Sequence, residues 1–226
     1  MSLRLPFAVA AFGLFSLGAA QAVTLMQVDD FSLGTAGWQE GGPSPNKPVT
    51  EDTGLAGGPY LRNTTTGGGA GSRLVKWNDD QWTGDYLSEG IVGITFDAFS
   101  EGPEPVDLRF AFNGAGGWFM TSRIRIDDFA PGPDLTSFLL PITESDLIHV
   151  TGGTGDYADT MGGVARMEII SATGTPTIGN VSTVLRGDIV DTTLRIDNIR
   201  AIPEPSAFAL VALGAAASGL RRRRWR

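Results

Sequence analysis

The chain has 226 residues, of which 42% are hydrophobic and 19% are charged. This composition is typical of an ordered globular protein and excludes a largely disordered one. No cysteine is present, which excludes disulfides, zinc–thiolate centres and cysteine nucleophiles. The 31 glycines and 13 prolines favour short strands joined by tight turns.

Most of the negative charge lies between the two ends of the chain. The ends, residues 1–22 and 203–226, hold six of the 17 basic residues and one of the 25 acidic residues. The central body therefore has 11 basic and 24 acidic side chains, a net charge of −13. Such a body repels nucleic acid, and it is compatible with calcium, with cationic partners or with neutral partners.

The N-terminus has the features of a secretory signal peptide. Arg4 precedes a mostly apolar stretch over residues 5–17, and small residues end in Ala-Gln-Ala at 20–22. A positive start, a short apolar segment and an A-x-A site predict export with cleavage before Val23. The apolar run is shorter than the about 20 residues that a transmembrane helix needs. We therefore expect residues 1–22 to be a removable signal helix.

Residues 23–202 are predicted to form a single all-β domain. Apolar and polar residues alternate most clearly over residues 91–99 and 108–112, as in strands with one buried face. About ten such segments, separated by Gly, Pro, Asn and Asp, favour a β-sandwich of the jelly-roll type. The predicted strands are 23–28, 60–63, 73–77, 91–99, 108–112, 118–126, 137–142, 147–150, 164–170 and 194–202.

The sequence gives little support for catalysis. His149, the single histidine, lies in a short apolar segment, where a structural or surface role is expected. No serine has the Gly-x-Ser-x-Gly surroundings of a nucleophile elbow. A glycosidase needs two carboxylates roughly 5 to 10 Å apart, and the spacing of the acidic residues identifies no pair. We expect no enzymatic activity, with a polysaccharide hydrolase as the alternative.

Tryptophans within the body are candidates for carbohydrate binding. Exposed aromatic rings can stack on sugar rings, while Asn and Asp side chains bind hydroxyl groups. Trp82 has polar neighbours and is predicted to be the best exposed ring, although packing in the core is the alternative for each tryptophan. The predicted ligand-binding residues are Trp77, Asn78, Asp80, Trp82 and Trp118.

Three aspartates are candidates for a structural calcium site. Asp29 and Asp30 lie near the start of the body and Asp197 near its end. In a jelly roll the first and last strands often lie side by side, so these carboxylates could converge on a Ca²⁺ ion. The alternative is that they are turn or strand-end aspartates that face water.

The C-terminus contains three features that follow one another along the sequence. Pro203, Glu204 and Pro205 form a rigid extended tripeptide. Residues 206–220 are uncharged and rich in Ala and Leu, and as a helix they would span about 22 Å, short for a bilayer core. A cluster of basic residues follows and predicts a cytoplasmic C-terminus. Its members include Arg221, Arg222, Arg223 and Arg224.

This C-terminal pattern resembles the PEP-CTERM sorting signal of Gram-negative bacteria that make exopolysaccharide. The resemblance covers residues 203–226. It implies transient anchoring of a short transmembrane helix in the inner membrane, processing by an exosortase near the Pro-Glu-Pro tripeptide, and delivery to the cell surface or the biofilm matrix.

The body resembles jelly-roll modules of the laminin B and carbohydrate-binding types. The resemblance is carried by residues 77–86, 91–99 and 108–118 and by the Asp-Asn-Ile sequence at 197–199. Together with the two ends of the chain, it favours an exported, non-catalytic surface or matrix protein that acts by adhesion or by binding exopolysaccharide. A purely structural surface protein is an alternative.

Overall fold

The computed structural model describes residues 22–40, 47–51, 58–69, 71–126, 136–151, 154–177, 179 and 185–204. Residues 1–21 of the predicted signal peptide, and Pro205 with everything after it, lie outside these residues. The described part contains twelve strands and a short helix, α1 (Tyr157–Met161). The strands are β1 (Val28–Asp29), β2 (Val49–Glu51), β3 (Tyr60–Thr66), β4 (Val75–Asn78), β5 (Ile91–Glu101), β6 (Val106–Gly114), β7 (Gly117–Met120), β8 (Ile124–Ile126), β9 (Thr136–Pro141), β10 (Ile148–Thr151), β11 (Arg166–Ser171) and β12 (Asp191–Pro203).

The strands form two antiparallel sheets, which confirms the predicted β-sandwich. Sheet one has the order β2-β3-β12-β5-β9, and β1 also pairs with β12. Sheet two has the order β10-β7-β6-β11-β4, and β8 also pairs with β6. Neighbouring strands are therefore often distant in sequence, as in a jelly roll. Within the described ranges, no helix is long and apolar enough to cross a membrane.

The core lies between the inner faces of the two sheets. Leu108, Phe110 and Phe112 of β6 are completely buried there, as their alternation predicts. Phe96 of β5 packs against Phe110 across the interface, with ring centroids 5.1 Å apart. Burial of such large side chains is the main favourable contribution to folding.

Two predicted strands differ from those in the structure. The predicted strand 23–28 is reduced to β1, because Gln27 donates its backbone N–H to the carbonyl of Thr24 in a turn where Met26 has a φ of 65°. The predicted strand 118–126 is divided into β7 and β8. Between them, the carbonyl of Thr121 accepts a hydrogen bond from Arg109.

Candidate functional site

The outer face of sheet two brings together two predicted tryptophans. Trp77 of β4 lies opposite Glu168 of β11, and Arg166 lies two positions before Glu168. Arg166 lies opposite Asn113 of β6, which lies opposite Trp118 of β7. Opposite residues, and residues two apart on a strand, share one face. We call these five residues the tryptophan face.

The dimensions of the tryptophan face suit an extended ligand. Trp77 and Trp118 are both partly exposed. Strands β4 and β7 are three inter-strand distances apart in sheet two. Because each distance is about 4.8 Å, the two rings lie roughly 14 Å apart across the sheet. A chain of several linked rings could therefore contact both indoles at once, with polar side chains beneath its middle.

Arg166 is held firmly beside Trp77. Its guanidinium carbon lies 5.2 Å from the centroid of the Trp77 ring, a cation–π arrangement. Its terminal nitrogens lie 3.5 Å from Asp79 Oδ2 and 3.7 Å from Glu168 Oε1. These contacts fix the planar guanidinium, whose donors suit sugar hydroxyl oxygens as well as carboxylates.

Glu168 is the most perturbed acid of this face. Its side chain is almost completely buried, and burial raises its pKa to about 7, although Arg166 favours the ionised form. Near neutral pH the carboxyl group can therefore donate or accept a hydrogen bond.

We predict that Glu168→Gln stabilises the protein selectively at alkaline pH. The folded-state pKa of Glu168 lies above its ordinary value of 4.5, so the stability linked to its protonation is present at acid pH and is lost as the pH rises through about 7. The variant has no such loss, and at pH 9 its free energy of unfolding should exceed that of wild type by roughly 2 kcal/mol. Urea unfolding at pH 5, 7 and 9 measures this, with the exposed Glu144→Gln as control. An advantage that does not grow with pH would contradict it.

Part of the outer face of sheet two is covered by the segment that follows β11. Leu185 packs on a small apolar cluster there, and Gly179 donates its N–H to the carbonyl of Val150. Trp118 packs against the same cluster, so the tryptophan face adjoins the covered region. The covered cluster consists of Ala111, Met120, Val150, Ile170 and Ala172.

Arg109 of β6 fastens this covering segment to the sheet. The residue is 5% exposed, and its guanidinium donates hydrogen bonds to the carbonyls of Ala172, Thr121 and Gly174 at 2.9, 2.8 and 3.2 Å. Sequence reasoning did not identify Arg109, Asn113 or Arg166, and it gave Glu168 no binding role. The alternation of Arg166 and Glu168 on a predicted strand was the available signal.

The prediction that Trp82 is the best exposed ring is wrong. Trp82 is fully buried, and its Nε1 donates to Asp29 Oδ2 at 2.7 Å. Asn78 is also fully buried, with its amide donating to the carbonyl of Ala36 and its Oδ1 accepting from the N–H groups of Asp80 and Trp82. Asp80 is exposed but lies outside the tryptophan face. The side chains of Trp82 and Asn78 therefore stabilise the fold at this point.

The three predicted calcium ligands have other partners. Asp29 accepts hydrogen bonds from Trp38, Trp82 and Gln81 at 2.6–2.7 Å, and Asp30 is exposed and accepts from Ser32. In the part of the chain that the structure describes, no group of three or more acidic or histidine side chains could hold a metal ion. The calcium site stays a prediction.

Asp197 lies directly opposite Asp97, and Asn198 donates its amide to both carboxylates. Burial, and then the charge of Asp97, raises the pKa of Asp197 to about 6. A shared amide donor reduces the repulsion between the two carboxylates.

The chain runs from the central strand of sheet one directly into the C-terminal pattern. Pro203 is buried and pairs with Ile91, and Glu204 is exposed. Pro205 and the arginines at 221–224 lie outside the described residues. Residues 201–224 match the PEP-CTERM protein-sorting motif. A PEP-CTERM motif implies an exported protein that is sorted to the cell surface. The matched range begins inside β12, so the PEP-CTERM motif and the sandwich share residues.

Comparison with solved structures finds other proteins with a similar β-sandwich fold. The chain is similar to the family 11 carbohydrate-binding module from Clostridium thermocellum in complex with a β-1,3-1,4-mixed-linked tetrasaccharide, with 16% identity and a TM-score of 0.50, over 80% of this chain and 96% of that one. It is also similar to an exo-β-agarase, with 14% identity and a TM-score of 0.51, over 80% of this chain and 25% of that one. At these identities the likeness shows the fold alone. A search of curated proteins found no match.

Proposed function

We propose that this protein is exported, sorted through its PEP-CTERM motif, and binds a polysaccharide at the cell surface through the tryptophan face. The observation that carries the binding proposal is the presence of two partly exposed indoles, Trp77 and Trp118, on one face of sheet two. Arg166 and Asn113 supply hydrogen-bond donors between them. Aromatic platforms with a few placed polar groups are what sugar rings need.

The similarity to the carbohydrate-binding module of C. thermocellum supports this proposal at the level of fold. The acidic body, with its net charge of −13, favours a neutral polysaccharide over an anionic one. We therefore infer that an uncharged stretch of exopolysaccharide is the ligand.

The arrangement favours binding over catalysis. Asp79 and Glu168 both contact the same guanidinium, that of Arg166. They therefore hold one cation in place, whereas the two carboxylates of a glycosidase act from either side of a glycosidic bond. His149 stacks on Phe119 with ring centroids 4.5 Å apart, on the inner side of sheet two and away from the tryptophan face.

Substitution of either exposed tryptophan should weaken polysaccharide binding. We expect Trp77→Ala and Trp118→Ala each to reduce affinity about tenfold, because each removes one stacking platform. Affinity electrophoresis with exopolysaccharide from the native host and with mixed-linked β-glucan measures this. Val49→Ala, on the edge of sheet one and 41% exposed, is the control. Unchanged binding by both tryptophan variants, with native unfolding curves, would refute the proposed site.

The sorting half of the proposal has its own test. In the native host we expect the mature chain to lack its C-terminal tail and to reach the surface or the medium only when the exosortase gene is present. Intact mass and cell fractionation, with and without that gene, measure this. An intact inner-membrane protein in both strains would show that the tail is only an anchor.

A further inference from the structure

One end of the sandwich lies next to the point where the sorting tail leaves the fold. Pro203, the last residue of β12, pairs with Ile91. Ala201 exchanges backbone hydrogen bonds with the segment before β1, since Met26 donates to its carbonyl and its own N–H donates to Gln27. We call this part of the molecule the tail-proximal end. It contains the start of β5, the end of β12 and the loop before β1.

Exposed apolar side chains gather at the tail-proximal end. Leu25 and Met26 are 39% and 41% exposed, and Leu87 is 41% exposed. Leu25 lies beside the turn that contains Leu87 and leads into β5. The backbone N–H of Leu25 donates to Glu89 of this turn, and the carbonyl of Leu87 accepts from Gly90. Three aliphatic side chains therefore surround the strand ends from which the tail emerges.

The outer face of sheet one adds two more apolar groups beside them. A Cβ placed on Gly93 would lie 3.0 Å from Ile202 and 3.2 Å from Leu139, so both side chains cover that glycine. Leu139 is 54% exposed. Met26, Leu139 and Ile202 line an open groove of about 650 Å³, together with polar residues that include Asp97 and Arg200.

The exposed apolar side chains are distributed unevenly over the surface of the protein. Eight large hydrophobic side chains are exposed among the described residues. Val49 and Ile189 lie elsewhere, and Leu33 and Val28 line a shallow pocket with Thr24 and Gln27 next to the tail-proximal end. Clustered apolar patches mark interaction sites, whereas scattered single residues do not. The six residues at or beside this end are Leu25, Met26, Val28, Leu33, Leu87 and Leu139.

We propose that the tail-proximal end rests on the surface of the lipid bilayer while the sorting tail is inserted. This inference rests on the proposed function, because it needs the tail to enter a membrane. The apolar residues 206–220 begin two positions after Glu204. Two residues span at most about 7 Å, so an inserted tail holds the end of β12 at the headgroup layer. The exposed leucines then meet the membrane at high effective concentration.

The charges around this end specify the type of lipid surface. Glu89 and Glu204 are both exposed here, and the body as a whole is strongly acidic. Acidic groups are repelled by anionic headgroups within a Debye length. Arg200 and Asp97 also line the groove, so acidic groups still outnumber basic ones at this end. The partner is therefore a zwitterionic lipid surface, into which the leucines insert.

Single-cysteine labelling tests the docked geometry, since the chain has no cysteine of its own. Leu25→Cys and Leu87→Cys place a bimane fluorophore at the tail-proximal end. Pro103→Cys, in the turn after β5, is the matched control, because the 11 residues of β5 place it roughly 33 Å away. Each variant, with its tail, is reconstituted into phosphatidylcholine vesicles that contain lipids with a nitroxide on the headgroup.

We expect both labels at the tail-proximal end to be quenched at least twofold more strongly than the label at position 103. Equal quenching in a chain that floats with the vesicles would overturn the docking proposal and leave the sorting proposal intact. Failure of the chain to float would overturn tail insertion and docking together. Labels shielded both from the lipid nitroxide and from aqueous iodide would mean that the tail itself covers this end, which also overturns docking on lipid.

Discussion

Replacement of Asp29 by alanine is expected to lower the free energy of unfolding by roughly 3–5 kcal/mol. The carboxylate of Asp29 is buried and accepts hydrogen bonds from the indole N–H groups of Trp38 and Trp82, both at 2.7 Å. A third bond comes from the amide of Gln81 at 2.6 Å. Removal of the acceptor leaves two buried indole donors unsatisfied, and each costs about 1–3 kcal/mol. Urea denaturation measures the loss.

Two further variants make the Asp29 test specific. Asp29→Asn keeps the shape and one acceptor oxygen, so its loss should lie between those of wild type and Asp29→Ala. Asp30→Ala removes the neighbouring carboxylate, which is exposed and bonded only to Ser32 among the described contacts. It should cost less than about 1 kcal/mol. A loss in Asp29→Ala no larger than in Asp30→Ala would contradict the assigned role.

Arg109→Met is expected to cost roughly 2–4 kcal/mol and to loosen the segment that covers sheet two. The methionine keeps much of the apolar stem but cannot donate to the carbonyls of Ala172, Thr121 and Gly174. Hydrogen bonds from a charged donor contribute about 1.5–3 kcal/mol each, and they are not additive. Urea denaturation measures the total loss, and hydrogen exchange over residues 172–177 measures the local one.

The matched control for Arg109 is Arg125→Met. Arg125 has a side chain that is 54% exposed and a nitrogen 3.5 Å from the buried Asp107. Arg123 also lies 3.8 Å from this carboxylate, so loss of Arg125 should cost only about 1 kcal/mol. Similar losses in the two variants, or unchanged exchange after β11 in Arg109→Met, would show that Arg109 does not hold the covering segment.

The sandwich itself could be predicted from sequence because alternation reports which side chains face the core. Leu108, Phe110 and Phe112 are buried as predicted. The fate of the opposite face of the same strand could not be predicted. Asp107, Arg109 and Ala111 are also buried, because the segment after β11, more than 60 residues away, folds over them. Periodicity within one strand contains no information about such a cover.

The error at Trp82 has a similar origin. Its polar neighbours suggested an exposed loop, but Asn78 binds the N–H groups of Asp80 and Trp82 and turns the chain so that the indole enters the core. The partner of the indole N–H, Asp29, is 53 positions away. Local polarity is therefore a poor guide where a distant carboxylate satisfies a buried donor.

The candidate site was predicted only in part for the same reason. Trp77 and Trp118 were proposed as ligand-binding residues from residue type alone, and the structure places both on one face. Arg166 and Glu168 join them only through the pairing of β11 with β4 and β6. The order of strands in a sheet, which the sequence does not state, decides which side chains become neighbours.

The central claim is that the tryptophan face binds polysaccharide, and hydrogen exchange of the protein with and without exopolysaccharide from the native host tests it most directly. We predict slower backbone exchange in β4, β7 and β11 around Trp77, Trp118 and Arg166, with no change in β2 and β3 of sheet one. Absence of protection in sheet two at a concentration where the polysaccharide is bound, or protection confined to sheet one, would contradict the claim.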